Sequence, residues 1–368
     1  MSYDVIIAGA GFAGLAAAGE LRGKRVLLID RKEIGTHQAS ACGTLLGVME
    51  ALDTMDCILQ IHRRIVVTGP RGPLVYPLAH PFCTFDFEQL MRKLARRTDV
   101  EFLLAEVTGA QGNTVRTTRG EFEADVLIDA TGWGATLARQ VSPRHLDKRT
   151  LSFGIETVQP YHGNGLLFWY DPIRYRPKQP IWIFPCGDFS RIGVASYGGE
   201  TKLRNDLEQF TRGLGIGMDG LHGGYFPYAL RAPTVGSIFV VGDAAGQCFG
   251  VTGEGIRGAL YFGQAAGRVV RRVLDREISL EQGLADYRRF VRAHRIYFTL
   301  TYWIQKVFSN APAPLADAIL RLFRLPGFLP LVVRFYVAAL NPAALRREPD
   351  SVGVRALRPA SFAEVRSR

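Results

Sequence analysis

The stretch "YDVIIAGAGFAGLAAAGEL" followed by "RVLLID", residues 3 to 30, constrains the fold more than any other part of the chain. A short apolar run leads into glycines at positions 9, 11 and 14 and then into a small-residue helical pattern. A second apolar run ends at Asp30. This is a strand, a tight turn, a helix and a parallel strand, with GxGxxG spacing at the turn. Gly9 permits the turn, Gly11 lets backbone approach a pyrophosphate, and Gly14 lets helix and strand pack closely. The helix start then directs free N–H groups and its positive dipole end at phosphate. Asp30, 21 residues after Gly9, is placed to accept from ribose hydroxyls. Ala13 in the turn and Arg31 after the acid are further candidate contacts. The unit binds a dinucleotide; at this point NAD and FAD are both open.

Two distant stretches decide between them. "ADVLIDATGWGA", residues 124 to 135, is a buried strand ending in an ATG turn. "GSIFVVGDAAGQCFGVTGEGIRGALYFGQAAGRVV", residues 236 to 270, is another strand, a glycine-rich loop and a helix. Gly242 and Asp243 stand at the strand end, where the carboxylate can accept from a ribityl hydroxyl. Gly253 and Gly255 permit close approach to a flavin ring, and a helix starting near Ile256 can aim its N-terminus at the pyrimidine. NAD needs no second loop so far downstream, whereas the ribityl chain and ring of FAD do. The expected cofactor is FAD, with no metal.

These motifs, with the helix "FDFEQLMRKLARR" after a strand, resemble FAD-dependent oxidoreductases of the hydroxylase fold. More narrowly, "GDAAG…TGEGI" at 242 to 256, Cys42-Gly43 after the second strand and "WIFP" at 182 to 185 resemble the geranylgeranyl reductase family. The resemblance covers residues 1 to 260, about two thirds of the chain. It implies saturation of isoprenoid carbon–carbon double bonds by hydride from flavin N5. It also implies flavin contacts at Ala41, Cys42, Gly43 and Val107, and a substrate pocket at Trp182, Phe184 and Pro185. Two departures stand out. The family usually has a Tyr two positions before the Trp, where this chain has Pro180. It commonly has an Arg ahead of the "FD" pair, where Phe82 and Cys83 precede Thr84-Phe85-Asp86. The first bears on the substrate and the second on one cofactor contact.

Cys42 is the candidate catalytic residue. Adding hydrogen across an isolated alkene takes a hydride and a proton, and a thiol beside the ring can position substrate or serve the proton transfer. The five cysteines, 42, 57, 83, 186 and 248, are odd in number, widely spaced and without a CxxC pair. That argues against a disulfide framework and structural zinc, and for a reducing, cytoplasmic setting. Other readings of the same fold are a flavin monooxygenase or halogenase, or an electron carrier to quinone. A halogenase of this fold relies on a lysine that has no evident counterpart here.

The expected fold class is α/β: a discontinuous Rossmann-like FAD-binding domain (1–60, 85–146 and 233–280), a β-sheet substrate domain (61–84 and 147–232) and a C-terminal helical region (281–368) with a frayed tail. The strand patterns "LSFGIETV", "GLLFWYD", "PIWIFPCGD" and "RIGVASYGG" would form a sheet roofing the flavin, with Trp169, Tyr170, Trp182, Phe184 and Tyr197 as its aromatic surface. No second strand-linked GxGxxG occurs, so the electron donor is NAD(P)H bound transiently, a ferredoxin or a flavin reductase. The net charge of +11 suits an acidic carrier or an anionic membrane surface. Nucleic acid is excluded as a partner for want of any recognition motif. No uncharged run reaches the roughly 18 apolar residues of a spanning helix. The helices after residue 280, apolar with interspersed Arg and Lys, would meet a membrane peripherally.

Overall fold

A computed structural model describes residues 2–38, 40–69, 72–170, 180–323 and 325–346. The chain divides into two compact units. The first comprises Met1–His37, Phe87–Thr150 and Phe226–Leu300; the second comprises Gln38–Asp86, Leu151–Tyr225 and Thr301–Arg368.

The first unit is built on a sheet in the order Thr234–Val235, Ile238–Val240, Gly120–Asp129, Ser2–Ala8, Val26–Asp30 and Glu101–Leu104. Its four inner pairings are parallel. The runs "VIIA", "VLLI" and "IFV" are buried throughout, as parallel strands covered on both faces must be. Register sets Ala8 opposite Asp129, and Asp129 opposite Val240. The carboxyl ends of the strands therefore share one edge, and open α/β sheets bind ligands at that edge. Helix Phe12–Gly19 packs on helix Ile256–Leu274 at backbone distance. A Cβ on Gly263 would lie 2.4 Å from Ala13 O, and one on Gly267 would lie 2.5 Å from Ala17 O.

The second unit carries a mixed sheet: His222–Pro227, Leu151–Gln159, Ser190–Ser196, Ile181–Pro185, Leu166–Trp169, Ile58–Gly69, Gly72–Phe85 and Gly43–Leu45. Alternation along its strands sorts two faces. Ile181, Ile183, Ile192 and Val194 pack with Leu207 and Phe210 of helix Arg204–Gly213 into a dry core. Residues one step out of phase, Trp182, Phe184, Arg191 and Gly193, lie on the other face.

The observed units correct the expected boundaries. Residues 38–60 go with the second unit, because Gly43–Leu45 pairs with the strand Gly72–Phe85 and Ile58 opens the strand beside it. Residues 281–300 go with the first, where helix Leu280–Ala293 packs on Ile256–Leu274. The region from 281 is therefore not a separate body. Its expected frayed tail, from Arg347 on, lies outside the described residues, as do Asp171 and Arg324. Of the expected aromatic surface, Trp169 instead packs on Phe210, with ring centroids 5.1 Å apart, because its register opposite Ile181 puts it on the core face. Tyr170 is buried and donates to Phe308 O at 2.8 Å, and Tyr197 is buried too.

Candidate functional site

In the first unit Gly9, Gly11, Asp30 and Gly242 lie at or just beyond the strand ends. Gly9 holds φ 106°, and a Cβ there would sit 2.1 Å from Ala130 O, so only glycine fits between the two turns. A Cβ on Gly14 would lie 1.9 Å from Gly9 O, which makes the close helix–strand approach concrete. Gly11, at the helix N-cap, has open space beside it, the room that a pyrophosphate needs. Asp30 accepts from the backbone N–H of Ala10 at 2.8 Å through Oδ2 and of Lys32 at 3.0 Å through Oδ1. It braces the glycine turn while keeping lone pairs for a ribose. Arg31 is exposed, and Ala13 is buried against Gly242 and Gly263. Val107 is half-buried and packs against the core of this unit.

Asp129 of the ATG turn is fully buried, and all its bonds are internal. Oδ1 accepts from the Thr131 N–H and hydroxyl; Oδ2 accepts from the N–H groups of Leu137 and Ala138. The residue shapes the turn and is not a ligand contact. Gly242 (φ 64°) turns the chain past Ala13, with its N–H donating to Gln247 Oε1 at 2.7 Å. Burial pushes the Asp243 carboxyl up to about 6, and the nearby Arg231 guanidinium opposes that rise. Arg231 Nη1 donates to Trp133 O at 2.9 Å, whereas its Nε and Nη2 are buried without a partner. Such orphan donors beside a buried acid suit an incoming polar ligand. The following loop holds Val251 at φ 62°, a strained conformation for a β-branched residue, before Gly253 (φ 66°), Gly255 and the helix at Ile256. The open space at Gly11, the orphaned Arg231 donors and the second glycine loop together fit FAD.

The second unit holds the other predicted residues. Cys42 is fully buried at φ 54°, an uncommon conformation for a side chain. Its N–H donates to Ser40 Oγ at 3.2 Å and its thiol to Ser40 O at 3.3 Å. Burial raises the thiol far above its ordinary range, with the Arg191 guanidinium opposing. The group is therefore a protonated thiol at neutral pH, not a nucleophilic thiolate. Ala41 is half-buried beside it. A Cβ on Gly43 would come 3.2 Å from the Phe184 ring, so the cysteine loop and the "WIFP" strand are in contact. Phe184 packs edge-on against Phe168, and the Pro185 carbonyl accepts from the buried Thr84 hydroxyl at 2.6 Å.

What the sequence reading missed is a charged cluster on this face. Glu156, Arg191 and His222 meet there. Glu156 Oε1 accepts from Arg191 Nη1 at 3.3 Å and pairs with His222 Nε2 at 2.7 Å; Oε2 accepts from Trp182 Nε1 at 3.3 Å. Arg191 Nη2 donates to Gln38 Oε1 at 3.0 Å, which ties the cysteine loop to the cluster. The Glu156 hydrogen bond raises the His222 pKa. The only sequence signal was polar residues at inward positions of otherwise apolar strands. Among the described residues no group of His, Cys, Asp or Glu could hold a metal.

Comparison with known proteins agrees with the fold and with FAD as the cofactor. An FAD binding domain model matches residues 4–60. The chain is 25% identical over 330 residues to digeranylgeranylglycerophospholipid reductase 3 of Methanosphaera stadtmanae, covering 79% of this chain and 83% of that protein. The crystal structure of a geranylgeranyl bacteriochlorophyll reductase-like protein from Thermoplasma acidophilum superposes with a TM-score of 0.77 at 17% identity, covering 99% and 97% of the two chains. The flavin-dependent brominase Bmp2 gives 0.65 at 18% identity, covering 92% and 98%. Both structures share the fold. The chain is an FAD-dependent oxidoreductase, and its resemblance to the geranylgeranyl reductase family is shown by its relatives.

Proposed function

We propose that this FAD-dependent oxidoreductase saturates carbon–carbon double bonds of a geranylgeranyl-type lipid. The relatives named for digeranylgeranylglycerophospholipid reduction support the substrate class. The observation that carries the reading is the second unit's polar–aromatic face, where Phe184, on the same face as Trp182, touches Gly43 in the loop of the buried, protonated Cys42 thiol. An isoprenoid chain offers only apolar surface and π-electrons, and aromatic walls match it without leaving polar groups unpaired.

When bound and reduced, FAD would supply a hydride for one alkene carbon. The protein's own work is to hold the chain, exclude water and deliver a proton to the other carbon. In this proposal Cys42 Sγ–H is that proton donor: the S–H bond breaks, a C–H bond forms, and the thiolate regains a proton from solvent. Arg191 lowers the cost of the transient thiolate by its charge, and Glu156 fixes Arg191 and the Trp182 indole as neighbours. The neutral thiol resting state suits a donor better than a nucleophile.

Electrons come from an external carrier: NAD(P)H in transient contact, a ferredoxin or a flavin reductase. The cysteines, all buried and widely spaced along the chain, suit a reducing cytoplasmic setting. The lipid is taken from an anionic membrane surface. A halogenase-type reading has the brominase fold in its favour, but the four strands spanning 151–159, 166–169, 181–185 and 190–196 carry no lysine.

The test is anaerobic incubation of the pre-reduced protein with digeranylgeranylglycerophospholipid, followed by mass spectrometry. Gain of two hydrogens per bond, with flavin reoxidised in step, is the expected result. Flavin reoxidised only by oxygen, or only by a quinone, would replace the reading with a monooxygenase or a carrier.

A further inference from the structure

Helix Arg295–Asn310 is apolar on its outer side as well as its inner one, where Tyr297, Phe298 and Phe308 are buried. Its inward side also carries Thr301, Gln305 and Ser309, all buried, and Gln305 Nε2 donates to Ser152 Oγ at 3.1 Å. Its outward side carries Ile296, Leu300, Trp303 and Val307, which are 63, 44, 59 and 48% exposed. Spacings of four, three and four residues place these on a single stripe. A helix that buries a glutamine and shows a tryptophan to solvent has a partner for its outer face.

We propose that this stripe docks on the surface of an anionic lipid bilayer. The charge argues for lipid over a second copy of the chain. From Arg295 to Arg346 the sequence carries six Lys or Arg and one acid, Asp317, so two such surfaces repel each other and are drawn to anionic headgroups. Lys306 runs along the stripe's flank with Nζ 5.6 Å from the Tyr302 ring centroid. That posture keeps an ammonium at headgroup level while the stem lies on apolar surface. Trp303 at the centre of the stripe has the amphipathic ring favoured at that depth. The two helices that follow and the turn between them add exposed Leu315, Leu322, Leu325 and Leu331.

The attachment lies on the bilayer and does not cross it. Phe328–Leu345 is apolar enough to span by length and composition. Its continuous helix, however, runs only from Phe328 to Ala339, 12 residues or about 18 Å against a hydrocarbon core of about 30 Å. Beyond it Pro342 and Leu345 are buried, with Pro342 next to Gly47.

Vesicle binding is read without substrate turnover, so it stands or falls separately from the reductase assignment. The FAD-loaded full chain is sedimented with vesicles of phosphatidylcholine alone and of phosphatidylcholine with phosphatidylglycerol. The expected result is binding to the mixed vesicles, loss of at least tenfold in affinity at high salt, and quenching of Trp303 by brominated lipid chains. Trp303→Glu should lower the affinity at least tenfold with flavin content and melting temperature retained; Leu300→Gln does the same if the first variant folds poorly. Equal binding of wild type and both variants, or no binding to mixed vesicles, overturns the proposal. A dimer in lipid-free solution that either substitution dissociates also overturns it, in favour of a second copy on the stripe.

Discussion

The Trp182 indole N–H reaches the Glu156 carboxylate from two strands away because Gly193, on the strand between them, has no side chain. Gly193 stands opposite Glu156 on one side and Trp182 on the other. A Cβ on it would lie 2.1 Å from the indole ring. The indole thus lies across the middle strand in the space that any other residue would fill, and meets the acid at 3.3 Å.

Gly193→Val should therefore expel the indole. Overpacking of this kind costs about 1–3 kcal/mol. Tryptophan emission should shift to longer wavelength and lipid turnover should fall, while flavin content stays near one per chain. A variant with unchanged emission and turnover would show that the indole's place is unimportant.

Glu156→Gln tests the acid itself. It leaves Arg191 and His222 without their counter-charge, and breaking a buried pair costs on the order of 3–5 kcal/mol. The pH dependence separates the two partners. Because the His222 pKa is raised in the folded state, its pairing stabilises fully below pH 6.5 and the gain fades as pH rises through the folded value. Melting temperatures measured across that range should decline in wild type more steeply than in the glutamine variant.

Gly11→Val should lose FAD without losing the fold. The new side chain enters open space in the protein, the space that the GxGxxG reading reserves for the pyrophosphate. Thermal melting of the flavin-free forms of wild type and variant should agree, while the variant purifies colourless. Normal flavin content would refute the pyrophosphate placement.

Asp243 makes the apoprotein's stability depend on acid in the unusual direction. With its pKa raised from 3.8 to about 6, the folded state holds the proton more tightly, so stability falls as pH climbs from about 4 to 6. Asp243→Asn should flatten that slope and raise apoprotein stability at pH 7 by on the order of 3 kcal/mol. Asp243→Ala, which removes the acceptor outright, should weaken FAD binding by about 1 kcal/mol or more. Calorimetry with and without flavin measures both; an unchanged flavin dissociation constant would count against the ribityl contact.

Cys42→Ser should keep FAD and still accept electrons from a chemical reductant. Reoxidation by the lipid should slow roughly 10- to 10,000-fold, the range for losing a proton donor or a positioning group. Anaerobic stopped-flow separates the half-reactions. Wild-type rates in both would leave the thiol as a close-fitting residue only.

Local order was what the sequence could determine. The glycine turn at 9–14, the acid at Asp30 and the loop at 242–256 were legible because each depends on residues a few positions apart. Glycines at fixed offsets, and apolar runs of strand length, need no knowledge of the rest of the chain. Trp182 and Phe184 entered through the resemblance of "WIFP" to a family motif, and alternation along the strand is why they share a face. Tertiary structure alone decided which strands lie side by side. Glu156, Arg191 and His222 come from three strands and from stretches that read, one at a time, as isolated polar residues in apolar runs. Only the hydrogen-bonded register that sets Gly193 between Glu156 and Trp182 turns them into one cluster. Register also moved Trp169 to the core side and drew residues 38–60 away from the nucleotide unit, because the strand Gly43–Leu45 finds its backbone partners at 82–84 and not beside Asp30.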